Sequence, residues 1–411
     1  MKKSFTVLEI LIVLAIISSL VAILIYYIKP TEFFTRARDT KRIMDLNSLD
    51  YILSSLVYED PSINLGATNT VYLSLPMDIA TTNCKAQYTD LPDLPTGWSY
   101  YCVSRASTTN IDGSGWVPVN FSSYKIINLQ KLPIDPINKP PYYYTYVAGG
   151  SYKLSAKLEK NYDASIKDGG NDPLLYEVGS DKNLNTFQSG LVLYIPFDNI
   201  DSANGKALDN SGFNNNGTIY SSTTICTNYP TPPSGCPQLV DGKVGKALSF
   251  DGVDDYVEVP DSPSLKLVSA GTIAVWVYQR TAAEFKGGIC KAVTTAWIYT
   301  DYGIVQRNAQ GWYGVIANGI SSNSIGVALS SLNTWYFLVF TWDGTYLRLY
   351  VNGKLAKSGT QTITPRISNN PFRIGPWGTI TNTIDGLIDE VRVYNRALSA
   401  EEIKVLYEAT K

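Results

Sequence analysis

The sequence predicts two architectures in succession: an α+β unit led by a long helix, then an all-β sandwich of two sheets. Three observations carry this expectation. An apolar run from Phe5 to Ile28 holds one charge, Glu9; a helical repeat of leucines follows it; and beyond about residue 190 nearly every segment reads as a short strand. At 1.5 Å per residue the apolar run makes a helix of about 36 Å, enough to cross a bilayer. It is too long for the core of a secretory signal peptide, and no A-x-A site follows it.

The elements justify themselves in order. Pro30 is expected to kink or interrupt the helix. Past it, Ile43, Leu46, Leu49, Leu53 and Leu56 recur at three- and four-residue steps with Arg, Lys and Asp between them, one apolar face over about four turns. That pattern stops at Asp60-Pro61. Residues 61–187 read as short strands among Pro- and Asp-rich loops, with the tyrosine run Tyr142–Tyr146 and the alternating stretch Ser151–Ala156 as strands. The polar, turn-rich stretch Asp181–Gly190 marks a boundary. After it, Leu191–Phe197, Tyr256–Val259, Thr272–Tyr278, Trp335–Trp342, Tyr346–Val351 and Val391–Tyr394 are β-rich, and Asp343-Gly344 and Asn352-Gly353 are hairpin turn signals. Ser399 and Glu402 have the spacing of a capping box for a last short helix.

Composition removes several classes of function. Lys and Arg total 34 against 36 Asp and Glu, a net charge of −2, so there is no basic excess for a nucleic-acid partner. Histidine is absent, which excludes Ser-His-Asp and Cys-His catalysis, HExxH zinc enzymes and His-ligated metals. No Walker A loop, GxGxxG or GxSxG motif occurs. The five cysteines form no CxxC pair. Cys84 with Cys102 and Cys226 with Cys236 are close in sequence and are the expected disulfides, implying an oxidising compartment. Cys290, in the run Gly287–Val293, is left as a buried free thiol.

The segment Lys3-Ser4-Phe5-Thr6-Val7-Leu8-Glu9-Ile10-Leu11-Ile12-Val13 resembles the type IV prepilin signal. The resemblance implies a basic leader, residues 1–4, cut by a prepilin peptidase on the cytoplasmic side between Ser4 and Phe5. Ser4 stands where the family usually has Gly. It also implies that Glu9 pairs with the Phe5 amine of a neighbouring subunit, which makes sense of a carboxylate inside an apolar helix, costly in lipid unless paired. A positive-inside count objects, because Lys29, Arg36, Arg38, Lys41 and Arg42 outnumber Lys2 and Lys3. The leader and the cysteine pairs both demand export and outweigh it. Leu132-Pro133-Ile134-Asp135-Pro136-Ile137-Asn138 and the following tyrosines resemble a stretch of pseudopilins, and the loop Asp163–Asp172 lies where some pseudopilins hold calcium, though it reads here as an acidic turn. Residues 5–28 would then be the transmembrane and fibre-core helix. Residues 29–187 would be a pilin-like domain, with its amphipathic helix to about 58 packed on a small antiparallel sheet.

A second resemblance covers residues 190–411. Gly245–Gly252 with Tyr256-Val257, then Trp342-Asp343-Gly344, Leu349–Gly353 and Ile388–Leu398, resemble the laminin-G-like, concanavalin A-like jelly-roll family. That family binds glycans or proteins or acts as a spacer, and is often appended to enzymes without being catalytic. Many members hold calcium where the first strand meets the last. The matching positions are Asp198, Asp209 and Asp389, helped by main-chain and Asn carbonyls; in the alternative, Asp389 caps the sheet and the Asn run is a metal-free turn. Trp297, Trp312, Tyr313 and Trp377 sit beside Gly or polar residues and are the candidates to stack on a sugar, whereas Trp276, Trp335 and Trp342 lie in apolar strand patterns. Glycoside hydrolysis needs two facing carboxylates. Asp254-Asp255 and Asp389-Glu390 occupy structural motifs, with neighbours on opposite strand faces, so no enzyme is expected.

Together the resemblances imply a type IV pilin-like subunit, minor or at a fibre tip, that displays a lectin-like module for adhesion to an extracellular glycan or protein. It would sit in the bacterial inner membrane with its N-terminus cytoplasmic before joining other pilin subunits in a surface pilus. The alternative is a pseudopilin of a type II secretion or DNA-uptake system, confined to a periplasmic pseudopilus, whose jelly roll contacts cargo or envelope.

Overall fold

The computed structural model describes residues 6–28, 30–123, 129–282, 284–308 and 311–411, with side chains left aside over 22–30. The chain divides at Pro30 into α1 (Val7–Ile28) and α2 (Pro30–Glu59). Leu46, Leu49, Leu53 and Leu56 of α2 are all buried, the face that the leucine repeat predicts. They pack on Tyr144, Tyr146, Tyr152 and Leu154 of a five-stranded sheet. Three tyrosines bury their rings and keep a polar tip on the helix: Tyr144 donates to Asp45 at 2.9 Å, Tyr152 to Asp50 at 2.8 Å and Tyr176 to Asn47 at 3.0 Å.

The sheet runs β2-β1-β3-β4-β5, with β1 Thr70–Met77, β2 Ser99–Ser104, β3 Tyr144–Ala148, β4 Tyr152–Ala156 and β5 Tyr176–Gly179. It is mixed, not antiparallel throughout: β1 and β2 pair parallel. A parallel pair needs a long return connection. Residues 78–98 supply it, and the Cys84–Cys102 disulfide ties it down with a Cα–Cα distance of 5.8 Å. The helix is clamped to this unit by Arg42, fully buried, which donates to Asp135 at 2.6 Å, Asp39 at 2.8 Å and Glu159 at 2.6 Å. A short α3 (Tyr162–Ile166) precedes β5.

From Leu191 the described chain builds two facing sheets, of ten and eight strands. The larger has Gly288–Lys291, Phe372–Gly375 and Asp255–Val259 near its middle; the smaller is centred on Asp385–Tyr394 and Gly271–Gln279. Alternation fills the space between them: Ile273, Val275 and Val277 point inward to meet Ile289, Ile304 and Ile316 of the opposite sheet. The intervening Ala274 and Trp276 point outward. They are covered by α4 (Ala400–Thr410) through Ile403 and Leu406, and the Trp276 indole donates to Thr410 at 2.9 Å. The Ser399–Glu402 capping box that starts α4 is formed. Glu402 also joins the two units, accepting from Lys157 at 2.6 Å.

Candidate functional sites of the sandwich

Of the four proposed stacking residues, two lie at the surface and two do not. Trp312 and Trp377 are fully buried, the first donating to Gln279 at 3.1 Å and the second to Thr300 at 3.3 Å. Glycines distant in sequence pack closely against both. A Cβ on Gly288 would come within 3.2 Å of Trp377, and one on Gly287 within 3.4 Å of Trp312. Both residues are therefore removed from the ligand set. Trp297 and Tyr313 are partly exposed, edge to face with centroids 5.7 Å apart, and Arg307 lies over the Trp297 ring at 5.0 Å. They rest on Cys290, Val305 and Val315 on the outer face of the ten-stranded sheet. Tyr313 lies close over Gly326, where a Cβ would come within 2.3 Å of the ring, and a shallow hollow lined by Asn308, Gly311, Gly326 and Val327 opens beside it. The Cys290 thiol is buried and pushed up to about 12 by burial, so it is not a nucleophile at neutral pH.

The three residues matched to calcium do not converge among the described residues. Each instead braces backbone. Both Asp209 oxygens are saturated: Oδ1 accepts from the amides of Tyr194 (2.8 Å) and Ser211 (2.9 Å), Oδ2 from the Ser211 hydroxyl and the Asn215 amide (both 2.8 Å). Asp198 accepts from Lys246 N at 2.7 Å. Asp389 Oδ2 accepts from Lys243 N (2.8 Å) and Val244 N (2.9 Å). Burial, together with the neighbouring Glu390 carboxylate, pushes Asp389 up to about 8. Asp389 Oδ1 is buried with no hydrogen-bond partner among the described residues, but the three carboxylates do not gather into one cluster. One different group does converge: single carboxylate oxygens of Asp251, Asp254 and Asp255 all lie within 4.8 Å of one another.

Near the N-terminus, Glu9 accepts from Thr6 N at 2.8 Å and from the Thr6 hydroxyl at 2.9 Å, capping the first turn of α1 within its own chain. The processing positions Ser4 and Phe5 lie outside the described residues. Among the described residues, no helix is long and apolar enough to cross a membrane.

The two facing sheets, with the first strand Leu191–Ile195 paired to the long strand Asp385–Tyr394, define a β-sandwich. Residues 251–404, within this sandwich, match the family described as the concanavalin A-like lectin/glucanases superfamily. Among solved structures, the binding domain of Paraclostridial mosquitocidal protein 1 is 18% identical over 53% of this chain and 52% of that one, with a TM-score of 0.41. Domain 4 of AbnA, a GH43 extracellular arabinanase from Geobacillus stearothermophilus in complex with arabinotriose, is 20% identical over 54% of this chain and 98% of that one (TM-score 0.37). The ligand-binding domain of botulinum neurotoxin serotype D, in complex with N-acetylneuraminic acid, is 15% identical over 54% and 51% (TM-score 0.40). The chain thus spans about half the length of the two toxin domains. No curated protein matches it.

Proposed function

We propose that this protein is an exported binding subunit in which a pilin-like helix and sheet carry a lectin-like module that recognises an extracellular glycan or protein. The observation that carries the binding half is the Trp297–Tyr313 pair with Arg307 above it, an amphipathic aromatic surface inside the stretch that matches the lectin/glucanase superfamily. Support for the delivery half is the apolar run that contains Glu9, the amphipathic α2 seated on a small sheet, and two disulfides. In this reading the whole apolar run Phe5–Ile28, which extends beyond the described residues, holds the subunit in the membrane and then in a fibre, and the sandwich, too large for every position of a thin shaft, sits at a minor or tip position.

The test is a glycan array probed with detergent-solubilised full-length protein, followed by titration of the sugar class retained. Trp297→Ala is expected to weaken binding by about 2 kcal/mol, roughly thirtyfold in Kd, with the melting temperature nearly unchanged. Unaltered affinity in that variant removes the aromatic surface from the site. Retention of no sugar by the wild type turns the proposal towards a protein ligand.

A further inference from the structure

We propose that the corner Asp251–Asp255 is a divalent-cation site of the calcium class, distinct from the positions where the first strand meets the last. The corner is where the chain leaves one sheet for the other: Lys246–Asp251 belongs to the eight-stranded sheet and Asp255–Val259 to the ten-stranded one. Its turn is built around Gly252 at φ +80°, with Val253 N donating to Asp251 Oδ1 at 2.8 Å. That turn brings three carboxylates within 4.8 Å of one another, and among the described residues none of them forms an ion pair with a Lys or Arg.

The independent sign is Asp255. Its side chain is 1% exposed, its Oδ2 accepts from Asp251 N at 3.1 Å, and its Oδ1 is buried with no donor among the described residues. A buried carboxylate oxygen without a donor, on a residue clustered with two further carboxylates, is an arrangement that a cation relieves. The neighbouring cations bond other oxygens than these carboxylates. Lys286 reaches the carbonyl oxygens of Gly252 (3.1 Å) and Thr381 (2.7 Å), and Arg280 holds Asp385 at 3.1 Å, the residue paired with Asp251 across the strands. All the donors are hard oxygens, with no sulfur or imidazole, which selects calcium or magnesium over zinc or copper. Main-chain carbonyls and water would complete the shell. A bound ion would fasten the two sheets at this edge. The inference does not rest on the glycan-binding reading.

The experiment uses full-length protein in detergent, stripped with EGTA, with calcium chloride as the only addition. Thermal unfolding is followed by near-ultraviolet circular dichroism. Millimolar calcium is expected to raise the wild-type midpoint by about 3 °C or more, because an ion that binds only the folded state stabilises it by mass action. Asp254→Asn and Asp255→Asn are each expected to abolish that rise, while Asp389→Asn keeps it. Asp254 is partly exposed, so its variant tests the site even where Asp255→Asn perturbs packing. A wild type that does not respond, a response that survives in either corner variant, or one lost only in Asp389→Asn overturns the proposal.

Discussion

Two loops of the sandwich use aspartate in opposite ways. In the loop 209–217 a single carboxylate is surrounded by N–H and O–H groups and every oxygen has two partners. At the corner 251–255 three carboxylates share a space within which one oxygen of Asp255 finds none. Both loops are turn-rich, but one is Asn-rich with a single Asp and the other holds three, and they differ further in what points at the oxygens. A saturated carboxylate replaces secondary structure for a loop that has none of its own. An unsaturated one stores electrostatic repulsion that a cation can discharge.

The sharpest way to break this comparison is to remove the brace. Asp209→Ala orphans four donors in a buried loop and is expected to cost about 4 kcal/mol in urea unfolding; a loss under about 1 kcal/mol would mean that water replaces the carboxylate. A second saturated carboxylate, Glu402, extends the same logic to the contact between the two units. Burial alone would raise it, but Arg396 at 2.8 and 2.9 Å and Lys157 at 2.6 Å outweigh burial and hold it well below the ordinary carboxylate range. Its contribution is present above the ordinary glutamate pKa and is lost as pH falls through the depressed value. Glu402→Gln is expected to cost about 3 kcal/mol at pH 7 and to flatten the acid limb of the stability profile. An unchanged acid limb in the variant would assign acid sensitivity to other groups.

Asp255 should show the opposite sign with a smaller effect. Burial first, and the Asp251 charge second, push it up to about 7. Without calcium its stability contribution is complete below the ordinary aspartate pKa and fades as pH rises through about 7. In EGTA at pH 8, Asp255→Asn is therefore expected to be more stable than the wild type by about 1 kcal/mol, with the advantage gone near pH 4. Urea midpoints at the two pH values check this, and a variant less stable at pH 8 would show the corner to be a brace like the loop at Asp209.

Periodicity and spacing were readable where one chain segment decides the outcome. The leucine face of α2, both disulfides, the buried Cys290 and the Ser399–Glu402 cap all follow from partners at most 18 residues apart in sequence. The parallel β1–β2 pair was not readable, because hairpin signals say nothing of a chain that returns through a disulfide-tied loop. Trp312 and Trp377 were misplaced because glycine beside tryptophan looks like an exposed turn, whereas both are fully buried and approached by glycines distant in sequence, Gly287 and Gly288. The acidic corner was passed over on the rule that adjacent strand residues face apart. That rule fails when a glycine turn folds Asp251 back onto Asp254 and Asp255. The spacing D-G-x-D-D was the available signal.

Arg42 has a mechanical consequence. Its guanidinium is held by Asp39 on its own helix, by Asp135 in the proline-rich loop and by Glu159 beyond β4, so three separate stretches of chain meet at one side chain. A load pulling along α2 passes through the Asp135 and Glu159 pairs to two stretches of chain that flank the sheet strands. Force is thus divided between two short ion pairs at one buried side chain.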